Sequence, residues 1–85
     1  MLNDPDVRNV GENTMGDFLA FELFDGKEWA NVHISLSALV MLGAPENLNP
    51  IESFERNIDR IKGVAFGIGN VGNGRIDLGP GDFKP

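Results

Sequence analysis

Four groups of residues have types and spacings that could do chemistry. The stretch Gly67 to Gly74, GIGNVGNG, contains Gly67-x-Gly69-x-x-Gly72, the glycine spacing of a dinucleotide-binding loop. There the backbone approaches a pyrophosphate at the N-terminus of a following helix. His33 is the single histidine and stands two residues before Ser35, so a base and a hydroxyl nucleophile lie on one side of an extended chain. Glu52, Glu55 and Asp59 are closely spaced carboxylates, and Gly72-x-Gly74-x-x-Asp77 resembles one calcium-binding repeat.

Context argues against each. A dinucleotide loop follows a strand and opens a helix. Here the glycines close a helical pattern and precede a short strand, Arg75-Ile76-Asp77-Leu78. They suit a helix end and a turn needing positive φ. The Gly63/Gly67 pair suits close packing of that helix end on a sheet. One histidine and no cysteine make a zinc site implausible. No acid or oxyanion donor is placed near His33 and Ser35, and Ser35 is better used as a helix cap. A single glycine-aspartate repeat lacks the stacked copies that calcium repeats require. The three carboxylates read as the wet face of a helix. No cofactor, metal or catalytic residue is expected.

The elements that must position these residues follow from the apolar pattern. FLAFELF and KEWANVHI flank Asp25-Gly26, the dipeptide of a two-residue hairpin turn. A turn centred there pairs Leu23 with Glu28, Phe21 with Ala30, Leu19 with Val32, and Phe18 with His33. Alternation puts Leu19, Phe21, Leu23, Ala30, Val32 and Ile34 on a core face. The other face carries Phe18, Ala20, Glu22 and Phe24 beside Trp29, Asn31 and His33, and is unusually apolar for a wet surface. Ser35 caps a short helix, Leu36 to Leu42, apolar on nearly all sides and ended by Gly43. Asn49-Pro50-Ile51-Glu52 is a strong helix start. Ile51, Phe54, Ile58, Ile61 and Ala65 form one stripe of a longer amphipathic helix, with Glu52 and Arg56 as an i,i+4 pair. Residues 1–16 lack a hydrophobic period and read as a flexible N-terminal arm. Residues 17–85 form a single α+β domain: β-hairpin, short buried helix, longer amphipathic helix, and a short C-terminal strand joining a small antiparallel sheet.

The chain has 85 residues and no cysteine, so one small core must hold it without disulfides. Its N-terminus is polar and acidic, and its longest apolar run is too short to span a membrane. Both set the expectation of a soluble, cytoplasmic protein without membrane contact. Net charge is −6, and residues 1–42 hold seven carboxylates against only Arg8 and Lys27. Such a chain is repelled by phosphate backbones, which argues against direct nucleic-acid binding and for a basic protein partner.

Ile34-Ser35-x-x-Ala38-Leu39, then Phe54 with Ile61 and Ala65, then Gly74-x-Ile76 and Asp82, resembles small bacterial proteins of domain-of-unknown-function family 1488. The resemblance runs from about Phe18 to Phe83 and implies a compact α+β fold with no known activity. That family tends to place an arginine where this chain has Ile58, so a role for that arginine does not carry over.

These observations point to a small acidic, non-enzymatic binding module working through a protein–protein surface. Its interface residues are Phe18, Glu22, Phe24, Asp25, Glu28, Trp29 and His33. In its sharpest form it is an inhibitor occupying a basic nucleic-acid-binding groove, as phage antidefence proteins of the anti-CRISPR kind do. A homodimer would cover the same surface. The alternative is a small-ligand-binding protein or enzyme using the His33/Trp29 face.

Overall fold

The computed structural model describes residues 4–12, 16–68 and 74–83. The order is β1 (Val7–Glu12), β2 (Phe18–Phe24), β3 (Trp29–Ser35), α1 (Leu36–Gly43), α2 (Pro50–Arg56), α3 (Ile58–Ile68) and β4 (Arg75–Leu78), closing on a 3-10 helix, Pro80–Phe83. The strands form one sheet in the order β1-β2-β3-β4. The α+β class, the hairpin and the C-terminal strand are as the sequence predicts. The sheet is mixed, however, because β4 runs parallel to β3. The chain leaves β3 through all three helices before it returns, and a crossover of that kind brings a strand back in the same direction.

The hairpin's register differs from the predicted one by two residues. Leu23 pairs with Ala30, Phe21 with Val32 and Phe24 with Trp29, so the turn spans Asp25 to Glu28. Its geometry comes from Asp25, whose Oδ1 accepts from the backbone N–H of Lys27 (2.8 Å) and Glu28 (2.9 Å). Gly26 supplies the positive φ, at 100°. A shift of two leaves every side chain on its predicted face. Leu19, Phe21, Leu23, Ala30, Val32 and Ile34 are accordingly all buried.

The expected flexible arm over residues 1–16 is corrected for Val7–Glu12, which is an edge strand antiparallel to β2. The pattern that would announce it is broken by a bulge between Arg8 and Gly11, where Asn9 takes a φ of 56°. Only Val7 of this strand packs against the core. Lys62 of α3 holds the lead-in, with Nζ 2.9 Å from Asp4 Oδ2 and 3.5 Å from Asp6 Oδ2.

The helices begin where predicted. Ser35 Oγ accepts from the Ala38 N–H at 3.1 Å, and Asn49 Oδ1 accepts from the Glu52 N–H at 2.9 Å. Three details differ. First, α1 buries Ala38, Leu39 and Gly43 but exposes Val40, so it is one-sided and not buried all round. Gly43 is its last residue and a close-packing point, since a Cβ there would stand 3.2 Å from Leu48 Cβ and 3.3 Å from Ser53 Oγ. Second, the long helix divides at Asn57, whose side chain donates to the carbonyls of Ser53 and Leu42. Third, Arg56 pairs with Glu46 at 3.0 Å, while Glu52 Oε1 accepts from Asn49 Nδ2.

One cluster joins the layers. Phe54, Ile61 and Ala65 meet the inner sheet residues together with Ile76, Leu78 and Phe83. Phe21 and Phe54 meet edge to face with centroids 4.8 Å apart. The motif residues Ile34, Ala38, Leu39, Phe54, Ile61, Ala65 and Ile76 all belong to this cluster, so that motif is a packing pattern. Gly63 and Gly67 do not serve close packing, for a Cβ at either would meet nothing within 4 Å. Gly69 and Gly72 lie outside the described residues. The order of helix, glycines and strand is nonetheless seen, since α3 ends at Ile68 and β4 starts at Arg75.

Candidate functional site

With all three helices contributing to the core on one face, the other face of the sheet has no covering layer among the described residues. The segment 76–83 does not fold across it. Ile76, Leu78 and Phe83 turn inward, and β4 widens the sheet beside β3. The open face therefore carries Arg8, Glu22, Asn31 and Arg75 in one row across the sheet, and Gly11, Ala20, His33 and Asp77 in the next.

At the turn end, Phe24 and Trp29 are a cross-strand pair with ring centroids 5.2 Å apart. The Arg8 guanidinium lies 3.9 Å from the Trp29 ring centre, a cation–π contact. Its Nε is also 2.6 Å from Glu22 Oε1, which accepts from Asn9 Nδ2 at 2.8 Å. Arg8 first and Asn9 second hold the Glu22 carboxyl below its usual range. The Asp25 carboxyl is held low by the amides of Glu28 and Lys27. Two of the predicted acidic rim residues are thus committed internally: Glu22 to β1 and Asp25 to the turn. Glu28 is exposed beside them.

At the opposite end, Phe18 and His33 stack with centroids 4.2 Å apart and planes 9° from parallel. The stack forms although Phe18 pairs across the ladder with Ser35 and His33 with Ala20. Aromatic rings bridge such diagonal neighbours. A cavity of about 300 Å³ adjoins the stack, lined by Asp17, Phe18, His33, Ser35, Arg75 and Asp77, with Leu78. Asp77 pairs with Arg75, Nε to Oδ1 at 3.1 Å.

Six of the seven predicted interface residues thus fall into two groups: Phe24 and Trp29 with the turn residues Asp25 and Glu28, and Phe18 with His33. Glu22 stands between them. Sequence reasoning missed Arg8, Arg75 and Asp77 as members of this face. Arg8 belongs to the irregular edge strand, and the other two join only through the parallel pairing of β4. The described residues hold no cluster of three or more histidine, cysteine or carboxylate side chains fit to bind a metal. No described helix is long and apolar enough to cross a membrane. No family model, curated protein or solved structure matches the chain.

Proposed function

We propose that this chain is a small acidic binding module that seats a basic protein partner on the open face of its sheet. One observation carries the reading: Phe18, Phe24, Trp29 and His33 sit half-buried on a face that no helix among the described residues covers. Half-exposed aromatic side chains are the common anchors of protein interfaces. The net charge of −6 selects a basic partner and speeds its encounter at low salt. The sharpest form is an inhibitor that lays this face of an acidic chain into a basic nucleic-acid-binding groove of its target.

Capture from a host lysate, run in parallel with wild-type and Trp29→Ala baits, tests this. The expected partner is basic, is retained by the wild type, and rebinds in purified form at least about fivefold more weakly to Trp29→Ala, about 1 kcal/mol. The variant keeps its native circular dichroism spectrum. Charge reversal at Glu28 slows association and flattens its salt dependence. Equal retention by both baits, or unfolding of Trp29→Ala with a blue-shifted, quencher-protected Trp29 in the free wild type, refutes the reading.

A further inference from the structure

The cavity beside the Phe18–His33 stack lies about 13 Å from Trp29, four residues along β3 at about 3.3 Å each. The contacts around Trp29 leave it unused. We propose that it receives an arginine side chain of the basic partner. The proposal rests on the binding reading above and names the side chain recognised at this end of the face.

Size narrows the occupant first. At about 300 Å³ the cavity is at the bottom of the range for small-molecule sites, about 300–1,000 Å³. That suits one long side chain better than a dinucleotide. Shape and chemistry narrow it further. The stacked aromatic rings of Phe18 and His33 are part of the lining. A guanidinium is planar and weakly hydrated and stacks on such a surface, which a compact ammonium does less well.

Charge then fixes the sign. Asp17 and Asp77 line the cavity against the single cation Arg75. Arg75 meets Asp77 through two nitrogens, Nε to Oδ1 at 3.1 Å and Nη2 to Oδ2 at 3.4 Å. That fork is the geometry an incoming arginine takes up with a carboxylate. The two side chains are 52% and 64% exposed, so their pairing stabilises little and rearranges readily. Arg75 thus marks a guanidinium position at the rim, while Asp17 is a second carboxylate for the incoming group. An anion would meet two carboxylates against one guanidinium.

The test is titration of N-acetyl-arginine amide into ¹⁵N-labelled protein, with N-acetyl-norleucine amide as the apolar match of the stem. Saturable millimolar shifts confined to the amides of Phe18, His33, Ser35 and Asp77 are expected with the arginine compound. They should weaken at least threefold in Asp17→Asn and in Phe18→Leu, whose spectra also report that the fold is intact. Trp29→Ala should leave the titration unchanged. Equal shifts with the norleucine compound, no localised shift, or indifference to both variants overturns the proposal. Partner binding that depends on Trp29 but not on Asp17 also overturns it, while leaving the binding module standing.

Discussion

Replacing Lys62 with Met should release the edge strand from the rest of the domain. Lys62 Nζ lies 2.9 Å from Asp4 Oδ2 and 3.2 Å from Asp4 Oδ1, with Asp6 Oδ2 at 3.5 Å. The side chains of Lys62 and Asp4 are only 18% and 14% exposed. Exposed ion pairs contribute about 0–1 kcal/mol, and breaking a fully buried pair costs about 3–5 kcal/mol. This pair lies between, so the cost is about 1–2 kcal/mol, or a fall of about 5–15 °C in Tm. Met keeps the stem, so the loss is that of the charge. The pin also has a pH signature. The Lys62 hydrogen bond holds the Asp4 carboxyl below its usual range, a contribution present at neutral pH and lost as pH falls below about 4. Bonding to Asp4 raises the Lys62 ammonium above its usual range, so that contribution is lost as pH rises through its raised value. Hydrogen exchange locates the effect. Amides of 7–12 should exchange faster in the variant, by about tenfold or more at 1.4 kcal/mol, while those of β3 follow only the global change. Because Arg8 stacks on Trp29, Trp29 emission should shift red as the strand frays. Unaltered β1 exchange with a full loss of Tm would refute the local pin.

Asn49→Ala removes both bonds to Glu52 and should cost about 0.5–2 kcal/mol by denaturant unfolding; an unchanged midpoint would contradict the cap. Millimolar nucleotides or dinucleotides should leave Tm unchanged. Saturable stabilisation, abolished by a bulky residue at Gly69, would show that the glycines bind phosphate.

The face assignments were legible because strand alternation survives an even register error. Leu19 to Ile34 are buried as predicted, although the hairpin turn holds four residues and not two. The turn itself was obscured because Asp25 acts through its side chain, which competes with the two-residue geometry that Asp-Gly suggests. The division at Asn57 was hidden because Phe54, Ile58, Ile61 and Ala65 keep helical spacing straight through it. β1 was illegible because an edge strand with one core residue and an αL bulge carries no period. The cavity could not be read at all. Its Asp77 stands opposite His33 only through a parallel register that no local pattern encodes.

The parallel pairing of β3 with β4 also orders how the molecule comes into being. Strands β1 to β3 close through short connections, whereas β4 must await the whole helical crossover. Distant pairing bears the larger loop-closure entropy before any contact offsets it. The docking of β4 is therefore the late step, and it sets Arg75 and Asp77 beside His33. A nascent or nicked chain in which β1 to β3 have paired but β4 has not docked therefore lacks the Arg75–Asp77 side of the cavity.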